Sequence, residues 1–157
     1  MTGMTDMTEN PVPPRPSFGR ALGEVSHTLG KLHHRALAER GSDFPSWMLL
    51  TLLNEQSAPI PVDTVVAEMD RRIDLARPEV ISLLERTAAA GLVAYRPAAP
   101  DATAVLTEAG SAHFASLYKH SRTVTDAAAD GIDPAALDAA ITVILAIEQR
   151  AQSLLDA

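Results

Sequence analysis

Cysteine is absent from the 157 residues, which excludes disulfides, cysteine-type zinc fingers and thiol redox switches. Aromatic residues make up only 4% of the chain against 46% hydrophobic residues in all, so leucine, isoleucine, valine and alanine must do most of the packing. Long apolar runs are missing as well. The longest stretch without a charge, Phe44 to Asn54, falls far short of the roughly 20 residues needed to span a bilayer. The N-terminus has no apolar signal core, and with no membrane partner expected, the simple reading is a cytoplasmic protein. Positive charge is scarce. A net charge of −7 argues against indiscriminate binding to nucleic acid through bulk charge, although it leaves room for a local basic face.

What is present is concentrated in residues 60–110. The pattern there is a short helix, a tight turn, a second helix, and two extended runs joined by a proline-bearing loop, which describes a helix-turn-helix followed by a wing. The second helix is expected over Leu75 to Ala90. Val80, Leu83 and Leu84 fall at helical spacing, Pro78 fits only in a first turn, and Gly91 closes the C-terminus. Sixteen residues give about 24 Å of helix, a rod that fits the major groove of B-form DNA. Leu92 to Arg96 and Thr103 to Thr107 carry the β-branched and aromatic residues of two short strands, with Pro97, Pro100 and Asp101 at the tip between them.

The flanks are helical. Residues 1–16 hold three methionines, three threonines and four prolines with little to bury, and are expected to form a disordered tail ahead of a single domain at 17–157. Ser17 caps a helix running to about Arg40, in which Phe18, Leu22, Val25, Leu29, Leu32 and Ala36 form a heptad-like seam. Pro45 opens a helix over Ser46 to Glu55, Gln56 to Pro61 reads as a linker, and Asp63 as the cap of a helix to Ile73 with Val66, Met69 and Ile73 inward. Thr107 caps a helix reaching about Asp130, with Phe114, Leu117 and Tyr118 on one side. Asp133 and Pro134 open a last helix whose Leu137, Ile141, Ile144, Ala151 and Leu155 make a second seam. Helices at 17–58 and 107–157 thus surround the module at 60–110. Neither seam is needed to complete a winged helix, so the economical expectation is that two copies interlock as a homodimer.

The run LARPEVISLLERTAAAGLV (Leu75 to Val93), the wing YRPAAPDATAVLTEAG (Tyr95 to Gly110) and the tryptophan in SWMLLTLL (Ser46 to Leu53) resemble the MarR family of dimeric winged-helix regulators. The resemblance covers Ser17 to Ala157, and its most specific piece is GLV followed at wing distance by LTEAG. It implies a mainly α fold with a small β-hairpin wing, a winged helix-turn-helix flanked by N- and C-terminal dimerisation helices. There are departures too. Glu79 and Ile81 stand where the family commonly has Ser or Thr, Ser82 where Arg is frequent, Asp70 where a small alanine is usual, and Ala102 and Thr103 where the wing arginines are. The wing is about three residues shorter than the family's usual length.

Arg77, Pro78, Ser82 and Arg86 are expected at bases or backbone of double-stranded DNA, with Arg96 at the base of the wing and Arg71 and Arg72 near the turn as phosphate contacts. Taken alone, Arg77 and Arg86 read as a solvated helix face, and it is the helix-turn-helix with a wing that favours contact; Arg71 and Arg72 read equally as a solvated turn. Glu79 cannot favour phosphate; it serves the helix N-terminus or accepts from a cytosine amino group. From Asp70 to Arg96 there are five arginines and four carboxylates, so the reading module is +1 in a chain of −7. Trp47 reads as core, and the resemblance adds the wall of a pocket for a small-molecule effector.

No metal or other cofactor is expected. His113 and His120 lie about 10 Å apart along one helix face and His33 and His34 point in different directions, so no pair has helical metal-site spacing. Nothing resembles a nucleophile motif, a phosphate loop or a paired-carboxylate site, and the chain does not read as an enzyme. The resemblance implies a homodimeric DNA-binding transcriptional regulator, a repressor on a near-palindromic operator. The other reading, from the acidic total and the arginine-poor wing, is a winged-helix dimer of weak DNA affinity that serves as a protein-partner or ligand-binding module.

Overall fold

A computed structural model describes residues 15–56, 58–98 and 101–157. Most of the expected N-terminal tail and Pro100 of the wing tip lie outside the described residues. Within them the chain forms α1 (Phe18–Ala38), α2 (Phe44–Asn54), β1 (Ile60–Pro61), α3 (Val62–Ile73), α4 (Arg77–Ala89), β2 (Val93–Arg96), β3 (Thr103–Leu106), α5 (Glu108–Asp126) and α6 (Pro134–Leu155). This is the mainly helical winged helix-turn-helix that the sequence implies. None of these helices is long and apolar enough to cross a membrane.

The helix starts follow side-chain caps. Ser17, Thr107 and Asp133 accept the backbone N–H of Arg20, Gly110 and Ala136 at 3.4, 2.9 and 3.1 Å, as their positions in the sequence require. Three starts differ from expectation. Helix α2 begins at Phe44, ahead of Ser46, because Asp43 takes the cap by accepting the Ser46 N–H at 2.8 Å and leaves Pro45 in the first turn. Helix α3 begins at Val62 behind Pro61, so Asp63 lies inside the first turn instead of capping it. Helix α4 begins at Arg77, two residues after Leu75. Asp74 closes α3 in the left-handed region at φ 52°, and Leu75 and the extended Ala76 are spent on the turn.

A third strand sits in what reads as a linker. The sheet order is β1-β3-β2, antiparallel throughout, with Ile60 opposite Ala104, Val93 opposite Leu106 and Arg96 opposite Thr103. Strand β1 is two residues long and half proline, so only its partner makes it a strand.

The core is built around α2, whose Leu49, Leu50, Leu52 and Leu53 are all buried. Leu37 of α1, Val65 and Met69 of α3, Val80 and Leu84 of α4, Val93 of β2 and Leu117 of α5 pack with them. Expectation placed Val66 and Ile73 inward; both are half-buried, and the innermost positions of α3 are Val62, Val65 and Met69. Asp70 faces solvent. Much of the α1 seam stays open, with Phe18, Val25 and Leu29 exposed, and no residue of α6 is buried. Ile141, Ile144 and Leu145 of α6 are therefore open to solvent in the single chain.

Gly110 explains the glycine of LTEAG. It is buried in the first turn of α5, and an added Cβ would collide with the Leu92 backbone carbonyl at the end of the α4–β2 turn. The same joint is fastened by Thr107, which donates its N–H to the Leu92 carbonyl at 3.1 Å and its hydroxyl to the Gly91 carbonyl at 2.7 Å. Gly91 itself is at φ 76°, where an L side chain is strained. GLV and LTEAG are thus the two halves of one joint. Gly110→Ala is expected to lower stability by about 1–3 kcal/mol, seen as a lower urea midpoint at unchanged slope; an unmoved midpoint would mean that α5 can step away from Leu92 freely.

Candidate nucleic-acid interface

Helix α4 keeps one face in the core through Val80, Leu83, Leu84 and Thr87 and turns the other outward. On the outer side Pro78, Ser82 and Arg86 are exposed at i, i+4 and i+8. Together with Glu79 they line an open cleft of about 450 Å³ that ends at Asp43 and Pro45 of α2. Arg77 stands at the first position of the helix and is also exposed. Glu79 faces back along the helix, where its carboxylate accepts the Ala76 N–H at 3.1 Å and so caps α4. Of its two expected roles, the structure displays the one at the helix N-terminus.

The arginines are not idle. Arg77 donates to Asp63 at 2.7 Å, and Arg86 lies 3.4 Å from Asp43. Arg71 donates to Glu68 at 2.8 Å on the same helix. Arg72 is the most committed: its terminal nitrogens reach both oxygens of Glu55 at 3.1 and 2.8 Å, and its Nε reaches Glu68 at 3.1 Å. With its side chain only 21% exposed, Arg72 is a clamp between α3 and α2. The hydrogen bond with Glu55, ahead of the one with Glu68, pushes the Arg72 guanidinium further into its charged form. Hydrogen bonds from Arg71 and then Arg72 hold the Glu68 carboxyl below the usual range. Arg96, exposed at the end of β2, has no ion pair among the described residues.

Asp43 and Asp63 are the site residues that sequence reasoning missed. Asp43 two residues ahead of Pro45 was a readable cap signal. Its pairing with Arg86, across 43 positions, had none.

Trp47 lies half-buried in an aromatic cluster. Phe114 and Tyr118 stack on it with ring centroids 5.4 and 6.2 Å away, and His33 meets it edge-on at 5.4 Å. Burial, helped by the neighbouring His34, pushes the His33 imidazole down, and its buried Nε2 has no hydrogen-bond partner among the described residues. His120 lies 2.9 Å from Glu39 and ties α5 to the end of α1. That hydrogen bond is the main cause of the lowered Glu39 carboxyl. No group of three or more histidine, aspartate or glutamate side chains among the described residues could hold a metal ion.

Burial alone would push the Asp43 carboxyl up, but hydrogen bonds with Ser46 and the charge of Arg86 outweigh it and hold the group below the ordinary aspartate range. A depressed value in the folded state means that this stabilisation is complete above the unfolded value and is lost as pH falls through the folded one. Asp43→Ala is expected to cost about 1 kcal/mol at neutral pH, mostly through the cap. The gap between variant and parent should close as the pH drops below the carboxylate range, read from urea denaturation. A gap independent of pH would place the stabilisation elsewhere.

No family model matches the chain, and no curated protein matches it. Solved structures do. A MarR family protein of Mycobacterium tuberculosis in complex with DNA superposes with a TM-score of 0.70 at 20% identity, over 85% of this chain and 98% of that one. CouR from Rhodococcus jostii, bound to p-coumaroyl-CoA, superposes at 0.66 with 19% identity, over 83% and 91% of the two chains. BpsR from Bordetella bronchiseptica, described for the regulation of its DNA binding by 6-hydroxynicotinic acid, gives 0.65 with 15% identity, over 87% and 99%. With the three-stranded wing, the turn at Asp74 and the outward face of α4, these likenesses identify the architecture: the chain has the winged-helix fold of the MarR-family transcriptional regulators.

Proposed function

We propose that this protein is a MarR-type DNA-binding transcriptional regulator that acts as a homodimer, with α4 as the recognition helix. The observation that carries the reading is the exposed side of α4, where Pro78, Ser82 and Arg86, with Arg77 at the helix start, stand clear of the core beside a wing whose first strand ends in Arg96. In this reading Arg77, Arg86 and Arg96 contact bases or phosphates, and Ser82 approaches a base edge. Arg71 is a backbone contact at most, and Arg72 serves the fold. The DNA-bound M. tuberculosis structure supports the DNA partner, and the two ligand-bound or ligand-regulated neighbours support an effector. Repression follows if the dimer occupies a promoter, and an effector acts only if it prefers one spacing of the two heads. The protein works without a cofactor, as a cytoplasmic regulator and not as an enzyme.

Dimerisation accounts for the uncovered apolar faces of α1 and α6. Leu137, Ile141, Ile144 and Leu145 of α6 and Val25 and Leu29 of α1 are exposed in the single chain, and contiguous apolar surface of this kind marks an interface. Replacing Ile141 and Ile144 with Asp is expected to yield monomers in sedimentation velocity. A variant that sediments as the parent does would move the interface elsewhere.

A second reading has its own support. Arg77, Arg86, Arg71 and Arg72 are all paired with carboxylates, and this favours a head that binds duplex DNA weakly and serves a protein or small-molecule partner. Selection of genome fragments by the purified protein separates the two. A near-palindrome with half-sites about 10 base pairs apart is expected, and Arg77→Ala should weaken binding to it by about 1–3 kcal/mol. No enrichment over bulk DNA would favour the partner module.

A further inference from the structure

Each end of α4 carries an exposed arginine, and each is held by a carboxylate from a different helix. Arg77 at the start of α4 is paired at 2.7 Å with Asp63 in the first turn of α3. Arg86 in the last turn lies 3.4 Å from Asp43, the cap of α2. The two arginines are nine positions apart, about 13.5 Å along the helix and half a turn around it, so they flank its outer face on opposite sides. Asp43 is held rigidly, since its Oδ1 accepts the Ser46 N–H while its Oδ2 faces Arg86. The side chains of both pairs are more than half exposed, so the pairs are weak and open readily.

We propose that Asp63 and Asp43 are built-in competitors of DNA, carboxylates that occupy Arg77 and Arg86 in the free protein and must be displaced before phosphate or a base edge can take them. The inference rests on the DNA-binding reading of α4. Each displaced aspartate is left unpaired close to the incoming phosphates, and repels them. The competition acts on every duplex irrespective of sequence, because phosphate contacts dominate affinity. It therefore keeps the protein off bulk DNA and makes tight binding depend on contacts beyond these two arginines. The small positive balance of the module is thus reduced further where it matters.

The test is binding of a labelled random-sequence duplex at low salt, by anisotropy, to the full chain and its variants. Asp43→Asn keeps the cap of α2, since Asn caps a helix about as well as Asp, and Asp63→Asn falls at an exposed first-turn position that caps nothing. Asp70→Asn, at an exposed carboxylate on α3 outside these pairs, measures the effect of one unit of charge. Asp63→Asn is expected to tighten binding by up to about five-fold more than Asp70→Asn does, and to steepen the slope of log affinity against log salt by about one. In an Arg77→Ala background that excess should vanish, and Asp43→Asn should behave likewise against Arg86→Ala. If Asp63→Asn and Asp70→Asn act alike, or if the excess survives without Arg77, the competition is overturned while DNA binding stands. If neither the parent nor any aspartate variant binds duplex, the DNA-binding reading falls and the competition with it.

Discussion

Four leucines of α2 are the constraint on which the rest of the structure depends. Leu49, Leu50, Leu52 and Leu53 are each no more than 2% exposed, so α2 is apolar around most of its circumference and must be enclosed on most sides. Burial of a leucine side chain is worth about 2 kcal/mol, and no other helix among the described residues buries so many large residues in so short a length. Helices α1, α3, α4 and α5 and the sheet form the enclosure. The orientation of α4 is a consequence. Once Val80, Leu83 and Leu84 are turned to α2, the positions at Pro78, Ser82 and Arg86 have no choice but to face outward.

Electrostatics work on the same frame in two different ways. The Arg72 fork is drawn in between Glu55 and Glu68, where its loss would loosen the packing of α3 on α2. Arg77 and Arg86 are paired with carboxylates in solvent, where pairing costs little to undo. Chemically identical side chains thus divide by burial into a fixed fastener and two groups that can change partner. The count of +1 over the module does not distinguish them; their surroundings do.

Signals that act within one turn were legible in the sequence. Ser17, Thr107 and Asp133 mark helix starts because a cap is a contact with the third residue onward, and the leucine and valine spacing in α4 marks its buried face. Contacts made at a distance were not. Strand β1 exists because β3 lies beside it, and nothing in Ile60 and Pro61 alone distinguishes it from a linker. The start of α4 was misplaced because Asp74, a residue with a Cβ, adopts the left-handed conformation that ends α3. For the site, the expectation put Arg77, Pro78, Ser82 and Arg86 at DNA, and the structure leaves all four exposed on α4. The sequence could not show that Asp63 and Asp43 stand against the arginines, since each lies on another helix. Gly110 is the intermediate case: LTEAG marks a glycine in the sequence, and the Leu92 carbonyl supplies its cause.

Helix α6 has a thermodynamic consequence. Twenty-two residues are ordered here with none buried, so the isolated chain recovers almost nothing for the conformational entropy that this helix gives up. In the proposed homodimer that order is a debt settled by association, and the stability of the whole chain becomes a function of its own concentration. For such a dimer a melting temperature would have no single value: on dilution the C-terminal arm would be shed before the leucine centre yields.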